Sequence, residues 1–94
     1  LYICEAPIDA TSLYELTHEK AIYAAMGGLK PNVALNIIQE FSACKNGDSQ
    51  NRRKIVIATD NDEPGNRFVE DFPVPHERIH SDLKDWNEDL FYLQ

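Results

Sequence analysis

Acidic residues stand where apolar runs stop. Glu5 follows the run over residues 1–4, and Asp60 and Asp62 follow the run over 54–59, in the string Asp60-Asn61-Asp62-Glu63-Pro64-Gly65. Alternate residues of an extended chain point the same way, so Asp60 and Asp62 can reach one cation together. Gly65 permits a sharp turn into a following helix. Three carboxylates gathered at one place repel each other unless a cation lies among them. Mg²⁺ suits that place: it prefers oxygen, takes one or two carboxylates from a protein and keeps water and substrate phosphates for the rest.

Each residue also has a plainer reading. A D-x-D-x-x-G string makes ordinary turns. It is a poor EF-hand loop, because Pro64 and Asp71 occupy the positions where that loop wants an oxygen ligand and a glutamate. Glu5 alone reads as a solvated strand end. Asp9, just after Pro7, reads equally as an acid favoured by a helix dipole. Gly27-Gly28 reads as a turn sooner than a phosphate cradle, Lys30 as a solvated lysine, and Trp86 as a core anchor. His18, His76 and His80 do not cluster with cysteines, so the sequence does not support a zinc site. Glu5 and the Asp60–Asp62 pair rise above these readings through their placement at equivalent points of the fold.

Four short apolar runs alternate with four helical patterns. The first run, residues 1–4, precedes Pro7, which suits a first helical turn, and a helix over 8–19. The second, 21–26, stops at Gly27-Gly28. The next helix has the clearest period: Ala34, Ile37, Ile38 and Phe41 share one face. The third run, 54–59, is β-branched and continuously apolar, as a strand buried on both faces should be. A short helix after Pro64 turns Phe68, Val69 and Phe72 inward and ends at Pro73 and Pro75. A weak strand is expected over 78–80, and Trp86, Leu90 and Leu93 mark a last helix. Residues 45–53 form a polar loop. The alternation predicts an α/β layer fold with a mostly parallel sheet of about four strands flanked by helices. In such sheets the working site lies beyond the carboxyl ends of the strands. Glu5, Gly27, Asp60 and the segment after His80 all fall there, and Glu5 meets Asp60 only if the first and third strands are neighbours.

The 94 residues suit a single domain, 1–94, and their beginning and end inside apolar runs suggest a domain excised from a longer protein. Hydrophobic residues at 43% and charged residues at 27% are ordinary for a globular domain and exclude a disordered chain, a collagen-like repeat and a disulfide scaffold. No apolar stretch approaches the roughly 20 residues of a bilayer span, and the first residues lack the basic region of a signal peptide. Acids outnumber bases 16 to 9, for a net charge of −7. A domain that gripped nucleic acid by its own field would be basic. Bound cations or neighbouring domains would therefore supply the attraction. Cys4 and Cys44 support neither a zinc site nor a disulfide framework, and they point to a reducing, cytoplasmic setting.

Glu5 after an apolar strand, Asp9 four residues on, and a later apolar strand running into D-x-D-x-x-G resemble the toprim domain. That is the catalytic module shared by bacterial-type DNA primases, type IA and type II topoisomerases and some nucleases. The resemblance spans nearly the whole chain. The string Lys84-Asp85-Trp86-Asn87-Glu88 looks like the K-D-x-N-E string of phage and mobile-element primases, and DNDEPGNR, with Arg67, is similar to theirs. The chain thus resembles most the primase-like branch found in plasmid, phage and conjugative-element proteins.

The resemblance implies a compact Rossmann-like layer fold and a role for each matching residue. Glu5 matches the general acid or base, Asp60 and Asp62 the metal-binding aspartates, Gly65 the motif glycine and Asp9 a frequent family acid. Lys84 and Asp85 match a string placed near the metal or nucleotide. Ala6 and Pro7 follow Glu5 where the family commonly has Gly first, and alanine is small enough to keep the backbone close. Implied with these are Mg²⁺, with Mn²⁺ as a substitute, and DNA or an RNA primer and template, with nucleotides, as partners of the parent protein. Flanking domains are expected, and a membrane is not.

The leading expectation is metal-dependent phosphoryl or nucleotidyl transfer on nucleic acid, in DNA replication or mobilisation, with the isolated domain binding metal but showing little activity. A toprim nuclease would use the same three acids with water as nucleophile. A non-catalytic binding module would use the fold alone. A receiver domain would want paired acids after the first strand, where this chain has only Glu5. A topoisomerase would need a nucleophilic tyrosine in another domain, and Tyr2, Tyr14, Tyr23 and Tyr92 match no motif.

Overall fold

The computed structural model describes residues 1–43 and 54–93. Cys44 and the polar loop expected over 45–53 lie outside the described residues. Strands and helices alternate: β1 (Tyr2–Cys4), α1 (Pro7–Thr17), β2 (Tyr23–Ala25), α2 (Pro31–Ala43), β3 (Val56–Ala58), α3 (Glu63–Asp71), β4 (Glu77–Arg78) and α4 (Trp86–Leu93). All neighbouring strands pair parallel, in the order β2-β1-β3-β4. Tyr2, Ile3 and Cys4 stand opposite Tyr23, Ala24 and Ala25 on one side and Val56, Ile57 and Ala58 on the other. Three strands therefore end level.

Side chains of a strand alternate between its faces. Ile3 and Ile57 face one way and join Leu1, Met26, Ala34, Ile38, Val69 and Phe72 under α2 and α3. Cys4 and Ala58 face the other way and join Ala10, Leu13 and Trp86 under α1 and α4. Ile3, Cys4, Ile57 and Ala58 have no exposed surface, as continuously apolar strands covered on both faces require. The period of α2 places Ala34 and Ile38 in the core, with Ile37 and Phe41 half-buried against it.

Some expectations shift. The first helix stops at Thr17, with His18 left-handed at φ 54°, rather than running to Glu19. The last strand is Glu77–Arg78 rather than 78–80. In α4 only Trp86 is buried; Leu90 is half-buried and Leu93 exposed, so the inward stripe is one residue deep. Among the described residues no helix is long and apolar enough to cross a membrane.

From β1 the chain crosses to β2 on one side and later returns to β3 on the other. In open α/β sheets such a reversal leaves a crevice at the carboxyl ends of the strands, and ligands bind there. Here that crevice lies between the ends of β1 and β3.

Candidate active site at the carboxyl ends of the strands

Glu5 emerges from β1 into this crevice. Its carbonyl accepts hydrogen bonds from the N–H groups of Gly27 and Gly28, each at 2.9 Å. Both glycines have positive φ, 76° and 124°, which other residues rarely adopt. The Gly27-Gly28 turn thus holds the backbone of Glu5. Its N–H groups are already committed, which leaves no phosphate cradle. The side chain of Glu5 turns toward β3, where Oε1 accepts a long hydrogen bond from the Asp60 N–H at 3.4 Å.

The D-x-D string forms the loop between β3 and α3. Asp62 is extended and caps α3, its Oδ1 accepting from the Gly65 N–H at 2.8 Å. Pro64 fits the first turn, where its missing N–H costs no helical bond. Gly65 lies inside α3, so the turn expected there comes earlier, at Asp60 to Asp62. The reason for glycine is close approach. A Cβ on Gly65 would lie 3.1 Å from the Asp60 carbonyl carbon and 3.0 Å from Asp62 Oδ1, with the Asp60 carbonyl oxygen nearer still.

Asp9 is buried, at 4% exposure, in the first turn of α1. A solvated acid that merely favoured the helix dipole would not be buried. Its Oδ1 accepts from the Asn87 N–H of α4 at 3.4 Å, and Ser12 Oγ donates to Asn87 Oδ1 at 3.3 Å. Asp85 precedes α4 and caps it, Oδ1 accepting from the Glu88 N–H at 2.9 Å, while Glu88 Oε1 accepts from the Lys84 N–H at 3.3 Å. The K-D-x-N-E string therefore starts α4 and fastens it to α1. The Asn61 N–H donates to the Lys84 carbonyl at 2.6 Å, and Asn61 Nδ2 donates to the Ser81 carbonyl at 2.8 Å. Asn61, between the two aspartates, thus ties their loop to the one that carries Lys84.

Burial, then the charges of Glu5, Asp9, Asp62 and Asp85, push the Asp60 carboxyl up to about 7. Burial raises Glu5; the Asp60 N–H and the charge of Lys84 oppose the rise, and Asp62 and Asp9 add to it. Burial and then Asp85 raise Asp9, opposed by the Asn87 N–H and by a side-chain hydrogen bond with Asp60. Asp60 Oδ1 is buried and, among the described residues, has no hydrogen-bond partner. An orphaned buried oxygen among acids is a fitting ligand for a hard cation. Among the described residues, no three acid, histidine or cysteine side chains close around a single point. The crevice suits a cation that takes one or two carboxylates and fills its remaining positions with water or phosphate.

Other candidates have local roles. Burial first, then Asp9 and Asp60, push the Cys4 thiol up to about 12, which makes it an unreactive core side chain. His76 Nδ1 pairs with the Val74 carbonyl and His80 Nδ1 with that of Ser81. Trp86 is buried and donates its indole N–H to the Ala58 carbonyl at 2.9 Å, as a core anchor with one polar atom must.

Sequence reading passed over Arg78, which reaches beneath the D-x-D loop to Thr59, Asp60 and Asn66. It belongs to no motif. The available signal was physical: a charged residue in a strand of a covered parallel sheet needs several buried oxygens.

The profile of the Toprim-like family matches residues 2–90, and the chain belongs to that family. Its four parallel strands and alternating helices are consistent with the toprim fold. Membership places it among metal-dependent domains that process nucleic acid in primases, nucleases and topoisomerase-like enzymes, and these domains bind divalent cations, generally Mg²⁺. No curated protein and no solved structure matches the chain significantly.

Proposed function

We propose that the chain is the catalytic module of a primase-like replication or mobilisation protein, performing nucleotidyl or phosphoryl transfer on DNA or RNA. The observation that carries this reading is the unpartnered, buried Asp60 Oδ1, surrounded by the charges of Glu5, Asp9, Asp62 and Asp85. Asp60 and Asp62 would hold Mg²⁺, or Mn²⁺ in its place. Bound there, the metal neutralises phosphate charge and orients the reacting oxygens. Glu5, its carboxyl raised by burial and placed beside the metal loop, would move a proton to or from the reacting hydroxyl. Lys84, exposed and close enough to act on Glu5, supplies a positive charge toward substrate phosphate.

The primase-like branch is favoured over the nuclease by the K-D-x-N-E string that bears Lys84 and Asp85. With a net charge of −7, the domain needs basic flanking parts of its parent to draw in template. The test is product analysis of the parent protein on single-stranded template with nucleotides and Mg²⁺. Extended primers that disappear with Asp60→Asn support the proposal. Shortened strands instead would mark a nuclease, and no product despite metal binding would mark a binding module.

A further inference from the structure

We infer that Arg78 is a positioning residue for the cation site, clamping the loop between β3 and α3 from beneath so that Asp60 and Asp62 keep their places relative to Glu5. The inference deepens the proposed function and rests on its reading of these acids.

Arg78 ends β4 and is half-buried. Its Nη1 lies 2.9 Å from the Thr59 carbonyl, 2.9 Å from Thr59 Oγ1 and 2.9 Å from the Ile79 carbonyl. Its Nη2 lies 3.2 Å from the Asp60 carbonyl and 2.6 Å from Asn66 Oδ1. Thr59 Oγ1 in turn donates to the Gly65 carbonyl at 3.0 Å. One planar group therefore grips both sides of the D-x-D segment: Thr59 and Asp60 where the strand ends, and Asn66, with Gly65 through Thr59, where the helix starts. The two aspartate side chains project from the stretch between these grips.

Among the described residues every oxygen that Arg78 bonds is neutral, and no carboxylate pairs with its charge. The acids that act on that charge are Asp62 and Asp60. An apolar residue in place of Arg78 would leave the oxygens that Arg78 bonds without a donor. The contacts concentrate on one loop. Lysine would keep the charge but not the fork, since an ammonium is a compact point charge that cannot spread donors across these acceptors. Arg78→Lys thus separates geometry from charge.

The experiment compares wild type with Arg78→Lys by two readouts: amide hydrogen exchange at Gly65 and Asn66 without metal, and Mn²⁺ affinity by water-proton relaxation. Partners that orient metal ligands typically change affinity by about 10–100-fold. Arg78→Lys should speed exchange at Gly65 and Asn66 selectively, leave Ile57 protected, and weaken Mn²⁺ binding about tenfold. Wild-type exchange at those two amides, or wild-type Mn²⁺ affinity, would overturn the inference. If Arg78→Lys fails to fold, Asn66→Ala removes one exposed acceptor and should act in the same direction, more weakly; no change there also overturns it. A wild-type protein that binds no Mn²⁺ fails at the first titration, before any variant. That result overturns the cation reading and leaves Arg78 as a structural fastener only.

Discussion

The Asp60 N–H lies 3.4 Å from Glu5 Oε1 across 55 residues of sequence. The contact is a product of topology. β1 and β3 are hydrogen-bonded neighbours whose last residues, Cys4 and Ala58, stand in register. Residues that follow level strand ends share one crevice. A one-residue slip in a strand would exchange its two faces and break both halves of the core.

If like charges strain the site, removing one should stabilise the protein without metal. Asp60→Asn keeps the side-chain shape and discharges the acid that four others crowd. It should stabilise the metal-free protein at pH 8 by on the order of 1 kcal/mol, which raises the melting temperature by about 4–8 °C for a domain of this size. The rise in melting temperature that Mg²⁺ gives wild type should disappear. Melting curves with and without Mg²⁺ check both effects, and a lower metal-free melting temperature would show that the charge supports the fold.

The pH dependence follows with a definite sign. Asp60 is raised from 3.8 to about 7, so between those values the folded protein holds more protons than the unfolded chain. Stability then falls as pH rises through that window. Glu5 and Asp9, also raised, act in the same direction. Metal-free wild type should melt lower at pH 8 than at pH 5. Mg²⁺ should restore more at pH 8, because binding to Asp60 displaces its proton. A melting temperature that climbs from pH 5 to 8 without metal would contradict this.

Gly65→Ala tests close approach against helix propensity. Alanine in a helix interior is about 1 kcal/mol better than glycine. The added methyl here meets the Asp60 carbonyl and Asp62 Oδ1, and the carbonyl is backbone that cannot rotate away. The clash should win, with a net loss of about 1–3 kcal/mol and weaker Mn²⁺ binding. Equilibrium denaturation measures the sign, and a stabilised variant would show that the loop relaxes freely.

Asp85 combines a cap and a charge that two variants separate. Asp85→Ala loses the bond to the Glu88 N–H and should cost about 0.5–2 kcal/mol. Asparagine caps as well as aspartate. Asp85→Asn should therefore keep wild-type stability or exceed it at pH 8, since Asp85 is among the charges that raise Asp9 and Asp60. Melting curves of the pair decide, and equal losses in both would mean that the charge itself supports the fold.

The acids were legible in sequence because each follows an apolar run, and apolar alternation with helical periods reveals a parallel sheet. The family string around Lys84 was legible as a pattern, but its physical work was not. That Asp85 caps α4 and that Asn87 meets Asp9 depends on α4 packing against α1, which no local period encodes. Gly65 was expected to permit a turn, whereas glycine there answers a close approach by Asp60, which is a tertiary fact. Strand order decides whether Glu5 meets Asp60, and short apolar runs such as 1–4 and 54–59 are too alike to specify their neighbours. Arg78 was hidden because its partners are neutral oxygens distant in sequence: the Thr59 and Asp60 carbonyls and the Thr59 hydroxyl just past β3, and the Asn66 amide oxygen in α3.

The most direct test is a Mn²⁺ titration followed by amide NMR on the wild-type chain, with Asp60→Asn and Asp62→Asn as controls. Asparagine at residue 62 preserves the cap on α3, so a lost signal there reports lost ligation and not a frayed helix. Broadening centred on Glu5, Asp60 and Asp62, and abolished in both variants, is the expected result. Amides of these three residues left untouched by millimolar Mn²⁺, in a folded protein, would contradict the assignment of this crevice as a cation site.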